Sequence, residues 1–320
     1  MEYQTALLQL NLHFALMPPF SSQDIPDLRD QVIIVTGGNV GLGYETIRQL
    51  SEHNPASIYL AARSQSKAEE AIAKLKEANQ TFTNIRFLQL DLASFSSIKA
   101  AAADFLRQES RLDILINNAG IMMTPEDVTE DGYEIQFGTN LLGPALFTQL
   151  LLPTLRKTTK VNSQTRTVML SSAAHARAPS DIYQCDELRT SVPGRHTTKR
   201  YTTSKLANLH YARALAARET EVKIIPVHPG MVATNLHLAS TGTFLKPFLN
   251  AAICLAATSV EKGALSQNYA AVSPEAKHGQ YYGPVGKAES GSKLSQNHEL
   301  QEELFTWAQG ELSAHVETNL

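Results

Sequence analysis

Tyr201 and Lys205 stand four positions apart in Tyr201-Thr202-Thr203-Ser204-Lys205. On a helix that spacing puts both on one face, so an ammonium reaches the phenol or a ribose hydroxyl bonded to it. A phenol of pKa about 10 is a poor acid–base group at neutral pH. One positive charge about 5 Å away, at an effective dielectric near 20, is worth about 3 kcal/mol, or roughly two pKa units. Such a tyrosine is expected to give a proton to a ketone or to take one from an alcohol. Taken alone, the pair is also what chance supplies on many solvated helices.

A second cluster, Thr36-Gly37-Gly38-Asn39-Val40-Gly41-Leu42-Gly43, follows the β-branched run 31–36 and precedes a helical stretch expected from Tyr44 to Glu52. Glycines 37, 41 and 43 permit a tight turn and let a pyrophosphate approach the helix N-terminus, where free N–H groups and the helix dipole favour an anion. The strand–turn–helix context makes this a dinucleotide site rather than a plain turn. About 20 residues on, where an NAD site places an acid on the ribose 2′-hydroxyl, the chain has Ala62-Arg63-Ser64. Arg63, with Lys67 one helical turn further, suits a 2′-phosphate, which predicts NADP(H) over NAD(H). The competing reading of Arg63, a cation on a solvated helix start, leaves the missing acid unexplained. Asn117-Asn118-Ala119-Gly120 and Ser171-Ser172 follow two later strands.

These groups need a frame. Strands are expected over 31–36, 57–62, 85–90, 112–116, 166–170 and 222–227. Between them fall helices over 44–52, from Ser66 (boxed with Glu69) toward Asn79, and over 97–108, 132–157 and 203–218. That alternation implies right-handed crossovers and an α/β fold, a single doubly wound parallel sheet with helices on both faces. No linker composition interrupts the middle. The expected division is an N-terminal extension 1–26, a dinucleotide-binding domain 27–286 with a lid about 235–258, and a C-terminal tail 287–320 with a helix containing Leu304, Phe305 and Trp307. A short strand is expected at Tyr281-Tyr282.

The 320 residues carry 28 Lys+Arg against 31 Asp+Glu, a net charge of -3, with no basic run beyond a pair. That balance argues against nucleic acid as a partner. The two cysteines, Cys185 and Cys254, show neither disulfide-scaffold nor metal-site spacing, which fits a reducing compartment. The apolar stretch Ala6–Met17 is too short to span a bilayer and reads as a helix packed on the body; a peripheral membrane foot is the alternative. A cytoplasmic protein without an integral membrane segment is expected.

Together the motifs resemble the short-chain dehydrogenase/reductase family over roughly Asp27 to Thr234: the glycine loop, Asn117-Asn118-Ala119-Gly120, a serine ending the fifth strand, Tyr201-x-x-x-Lys205, and Pro229-Gly230 with Thr234. Asn39-Val40-Gly41-Leu42-Gly43, Ala61-Ala62-Arg63-Ser64 and Val227-His228-Pro229-Gly230 look like the retinol-dehydrogenase-like branch, and the lead-in Met17-Pro18-Pro19-Phe20 is similar to fungal secondary-metabolism reductases. The resemblance implies Tyr201 as acid/base and Ser172 as the donor that holds the substrate oxygen, with Ser171 the alternative. It makes Lys205 the holder of the nicotinamide ribose and Asn140 the residue that kinks the long helix and orders a relay water. Cofactor contacts would come from Gly37, Asn39, Gly41, Leu42, Gly43, Arg63, Lys67, Asp91, Leu92, Asn118, Ala119, Gly120, Pro229, Gly230, Val232 and Thr234.

Hydride exchange between NADP(H) and a small apolar carbonyl or alcohol is the implied activity. A catalytically silent NADPH-binding sensor or scaffold is the alternative from another class. Members of the family often pair as homodimers through the helices here expected at about 132–157 and 200–218; the alternative is that the extra N- and C-terminal segments cover or replace that face. Ser172 and Tyr201 lie further apart than the family pattern, so 175–198 must loop out. His175 reads as a partly solvated loop residue, with pocket lining the alternative, and His228 as structural. Met122, Met123, Pro125, Met231, Leu236, Leu238, Phe244, Leu245 and Phe248 are candidates for an apolar pocket and lid, though core packing accounts for each equally well.

Overall fold

The computed structural model describes residues 20–82, 84–232 and 257–316. The strands are β1 (Val32–Thr36), β2 (Ser57–Ala62), β3 (Ile85–Gln89), β4 (Ile114–Asn117), β5 (Arg166–Leu170), β6 (Lys223–Val227), β7 (Tyr281–Tyr282) and β8 (Ala288–Glu289). β1, β2, β4 and β5 are buried along their whole length because helices cover both faces of the sheet, whereas the edge strands β3 and β8 carry exposed residues. Their order is β3-β2-β1-β4-β5-β6-β7-β8. All neighbours are parallel except β7 and β8. The order reverses beside β1, which pairs Val35 with Leu60 of β2 and with Ile116 of β4. A crevice at the carboxyl ends of β1 and β4 is the ligand position in such sheets.

The helices are α1 (Gly41–Ser51), α2 (Gln65–Ala78), α3 (Phe95–Gln108), α4 (Gly143–Thr159), α5 (Thr197–Ala216), α6 (Val260–Val272) and α7 (His298–Val316). Residues of α3, α4, α5 and α7, among them Phe105, Leu151, Tyr211 and Leu304, form one core. Residues of α1, α2 and α6, among them Ile47, Leu75 and Ala271, form the other on the opposite face.

Several boundaries differ from expectation for local reasons. α1 begins at Gly41, inside the glycine loop, because Val40 is extended and the chain turns at once. The cap of α2 is Ser64, whose side chain accepts from the Lys67 amide, so Ser66 lies within the first turn and makes no capping box with Glu69. Ser94 caps α3 in the same way, two residues earlier than expected. The helix expected over 132–157 is a helical turn, Ile135–Phe137, then a π-helical turn, Gly138–Leu142, then α4. α5 starts six residues earlier than the pattern indicated and takes in the last two residues of the expected 175–198 loop, whose remainder holds only short 3-10 turns.

The stretch expected as a tail is part of the body. β8 closes the sheet edge, and α7 lies across α4 and α5. Phe305 stacks on Tyr211 with ring centroids 5.3 Å apart, and Trp307 meets Tyr133 and Phe137 edge-on. Gln149 donates to Gln309 at 2.7 Å. The long-helix face expected to pair with a second copy is thus taken by the chain's own helix.

Candidate functional site

The glycine loop is locked before any ligand is considered. Gly37 has φ +66° and Gly41 +56°, backbone that favours glycine. A Cβ on Gly43 would stand 2.4 Å from the Gly37 carbonyl oxygen, so only glycine lets the helix start this close to the turn. Asn118 Nδ2 donates to the Thr36 carbonyl at 2.7 Å, and the Ala119 amide to Thr36 Oγ1 at 2.9 Å. These bonds tie the end of β4 to the end of β1. Asn39 is half-buried in the turn, and the Leu42 carbonyl accepts from Gln267 of α6.

Arg63 and Lys67 are exposed at the end of β2, and neither side chain has a hydrogen-bond or ion-pair partner among the described residues; the Arg63 carbonyl accepts from Gln89. Asp91 Oδ1 accepts from the Ala93 amide, and Leu92 is buried against α4 at Gly143. Pro229 and Gly230, at φ +79°, turn the chain after β6, and Val232 pairs with Thr258 across an isolated bridge. Thr234 lies outside the described residues, as do the lid positions Leu236 to Phe248, Cys254 and the segment 6–17.

The second half of the site sits on β5, the π turn and α5. Tyr201 and Lys205 are buried, at 7% and 5% exposure. Lys205 Nζ donates to the Leu170 carbonyl at 3.1 Å. A Cβ on Gly120 would lie 3.1 Å from Asn140 Oδ1 and 3.3 Å from Lys205 Nζ, so the 118–120 turn, the π turn and α5 converge there. Burial pulls the Lys205 ammonium down to about 8.

Burial also raises the Tyr201 phenol, and a hydrogen bond from Ser172 works against that rise. This corrects the expectation that Lys205 lowers the phenol: its ammonium turns to the Leu170 carbonyl instead. The two serines separate cleanly. Ser171 Oγ donates to the Lys205 carbonyl at 2.7 Å, pinning β5 to α5, whereas Ser172 is the one beside the phenol.

Asn140 is the centre of the π turn. Its Oδ1 accepts from the Ile121 amide at 2.8 Å, and its Nδ2 donates to the Ile121 carbonyl and to Ser204 Oγ, each at 2.9 Å. The side chain is therefore committed to the 121 loop, and its backbone carbonyl accepts from Asn208 Nδ2 at 2.8 Å. Ser204 and Asn208 escaped the sequence reading. They stand three and seven positions after Tyr201, on the same helical face, a signal that spacing alone could have supplied.

Arg200 and Glu134 escaped it too. They form a 2.8 Å ion pair with side chains 3% and 2% exposed. The Arg200 guanidinium also donates to the Thr124, Pro125 and Arg195 carbonyls, while Glu134 Oε2 accepts from the Phe137 amide at 2.6 Å. Desolvation pushes the Glu134 carboxyl up despite its partner. The pair fastens the residue before Tyr201 to the start of the interrupted helix.

Two histidine readings can be settled. His175 is buried, at 4% exposure, rather than partly solvated. His228 is structural in its contacts: Nε2 lies 3.0 Å from Glu289 Oε2, and Nδ1 accepts from the Gly230 amide. Met123 is buried, with its amide donating to Gln136, whereas Met231 is 53% exposed.

The residues fit a dinucleotide. The loop is a cradle that a Cβ would fill, and Lys205, with three donors, has one protein acceptor among the described residues. Among known proteins, the short chain dehydrogenase family profile matches residues 31–181. A short-chain dehydrogenase/reductase of Armillaria gallica is 38% identical over 92% of this chain and 94% of its own. The polyprenol dehydrogenase of Homo sapiens is 35% identical over 88% of this chain and 84% of its own. In structure, the NADPH-bound carbonyl reductase from chicken fatty liver superposes with a TM-score of 0.59 at 25% identity, covering 82% of this chain and 98% of that one. Fold and kinship define the class, an oxidoreductase built around a nicotinamide cofactor. The chain belongs to the short-chain dehydrogenase/reductase family. No helix among the described residues is long and apolar enough to cross a membrane.

Proposed function

We propose that the protein interconverts an apolar ketone or aldehyde and its alcohol with NADP(H), using Tyr201 as general acid/base. The observation that carries this reading is the convergence of Ser172, Tyr201 and Lys205 beside Gly120 and the glycine loop, at the carboxyl ends of β1, β4 and β5. Bound nicotinamide supplies the hydride chemistry. Gly37, Gly41 and Gly43 would admit the pyrophosphate to the N-terminus of α1, and Asp91, Leu92, Asn118, Ala119 and Gly120 would flank the adenosine. Lys205 would hold the nicotinamide ribose, and Pro229 to Thr234 the nicotinamide side.

The remaining chemistry belongs to the chain's own residues. Ser172 Oγ orients the substrate oxygen toward the phenol, and Tyr201 passes its proton to that oxygen as the carbonyl is reduced. The phenol is protonated at neutral pH, the form that reduction needs; burial weakens it as an acid, and the hydrogen bond from Ser172 opposes that effect. Asn140 holds the 121 loop and the π turn so that Tyr201 and Lys205 face the same point. The 2′-phosphate would meet Arg63 and Lys67, whose charges have no protein partner among the described residues. The carbonyl-reductase and polyprenol-dehydrogenase relatives support an apolar substrate.

The test is a fluorescence titration with NADPH and NADH, followed by loss of 340 nm absorbance on a panel of apolar carbonyls. Arg63→Ala is expected to bring NADPH affinity down to that for NADH. Tyr201→Phe is expected to bind NADPH as before and lose turnover by orders of magnitude. Full activity in Tyr201→Phe sinks the assignment, and failure to bind either nucleotide sinks the reading of the glycine loop.

A further inference from the structure

His175 makes three polar contacts that the proposed chemistry does not use. Its Nδ1 lies 2.7 Å from the Ser172 carbonyl oxygen, and its Nε2 accepts the backbone N–H of Ser292 at 3.1 Å. An amide can only donate, so Nε2 carries the lone pair and the proton sits on Nδ1. The Tyr281 hydroxyl lies 3.3 Å from the same Nδ1, with the two rings edge-on. Ser172 is also held within its own turn: its carbonyl accepts the His175 amide, and its Oγ accepts the Ala174 amide. The imidazole is thus the link between that turn and a segment 117 positions downstream.

The downstream segment is fitted to receive it. Gly291 has φ +77°, and a Cβ there would stand 3.4 Å from His175 Nε2 and 2.5 Å from Ser295 Oγ. Arg213 of α5 donates to the Ser290 and Ser295 carbonyls, and His210 Nε2 lies 3.1 Å from the Leu294 carbonyl. Segment 288–296 is therefore tied to the helix that bears Tyr201 and, through one imidazole, to the serine facing it.

We propose that neutral His175 is a positioning residue that sets Ser172 against segment 288–296, so that the serine's aim at Tyr201 depends on this distant stretch of chain. The proposal rests on the roles given above to Ser172 and Tyr201. Protonating Nε2 would set one N–H against another and release Ser292. The groups around the ring are His228 after β6, Arg213 and His210 on α5, Tyr281 on β7 and Glu289 on β8. Burial lowers its pKa, the hydrogen bond to the Ser172 carbonyl opposes burial, His228 and Arg213 lower it further, and Glu289 raises it. The net direction is downward, so the release falls at a pH below the usual 6.5.

Hydrogen exchange and pH-dependent reduction of 4-nitrobenzaldehyde by NADPH test this in wild type, His175→Leu, His175→Asn and Tyr201→Phe. In His175→Leu, exchange is expected to rise about tenfold over 170–178 and 289–296 alone. Turnover should fall about tenfold while NADPH affinity stays within about twofold. Asparagine keeps a donor for the Ser172 carbonyl without titrating near neutrality. It is expected to recover turnover, keep 170–178 protected, and abolish the acid limb that wild type shows below pH 6.5. Unchanged exchange over 170–178 in His175→Leu overturns the proposal, as does an acid limb that persists in His175→Asn. Turnover by Tyr201→Phe equal to wild type, or none by wild type, would refute the proposed function instead; the exchange data still decide the coupling.

Discussion

Breaking the ion pair beneath Tyr201 from either side should cost far more than removing it whole. With Arg200 and Glu134 side chains only 3% and 2% exposed, solvent cannot compensate a lone survivor. Arg200→Met leaves a buried carboxylate with only the Phe137 and Gln136 amides as partners and takes a donor from the carbonyls of Thr124, Pro125 and Arg195, of which Thr124 keeps Thr197 Oγ1. Stranding one charge of a buried pair costs about 3–5 kcal/mol. Glu134→Leu strands the guanidinium and also removes the acceptor for Phe137, a capping loss of about 1 kcal/mol. The double variant strands neither charge, so its cost shrinks to the lost cap and unfilled carbonyls, about 1–2 kcal/mol.

Urea unfolding with a slope of about 3 kcal/mol per M would place each single midpoint about 1 M or more below wild type, and the double within about 0.7 M. The coupling energy is then at least about 4 kcal/mol. Additive singles would refute the claim that the pair matters as a pair. Because Arg200 precedes Tyr201, both singles should also lose turnover at temperatures where they remain folded.

Lys205 offers a second test, on the nucleotide-free protein. Its folded pKa of about 8 lies below the unfolded value of 10.5, so the unfolded chain binds more protons between those pH values and stability rises with pH across that window. Lys205→Met should remove this slope and unfold at higher urea than wild type at pH 7 while losing turnover; equal slopes would show that the ammonium is not desolvated. Gly43→Ala, whose Cβ would meet the Gly37 carbonyl at 2.4 Å, should abolish NADPH binding in a titration while circular dichroism stays native. Arg166, fully buried, donates to the Ala270 and Ser273 carbonyls at the end of α6 and has no carboxylate partner among the described residues. Arg166→Met should cost about 2 kcal/mol in urea unfolding, and a variant as stable as wild type would show the clamp to be dispensable.

The sheet was legible because β-branched runs at regular pitch leave few alternatives, and the tight turn of the glycine loop because its glycines fall between a strand and a helix. Boundaries were less so. Ser66 with Glu69 makes a good capping box on paper, yet Ser64 caps α2, since the chain leaves β2 at Ala62 and turns at once. The interruption of the long helix at Asn140 was expected from the resemblance alone; its π form follows from side-chain bonds to Ile121 and Ser204 that only the folded chain brings together. The Glu134–Arg200 pair was hidden for the same reason, since its partners are 66 residues apart. The direction of the Tyr201 shift was misjudged because spacing reports which groups share a face, while burial and the aim of an ammonium do not appear in it.

Helix α7 bears on how the polypeptide is made. The face of α4 and α5 that it covers has been synthesised long before it: Arg218, at the end of α5, pairs with Glu302, 84 residues later. At about 5–20 residues per second, ribosomes leave that apolar face uncovered for about 4–17 s in every round of translation. During that interval the nascent chain presents Tyr211 and its neighbours to whatever is nearby. The core on that face can therefore close only after Phe305 emerges, which places this half of the fold late in biogenesis.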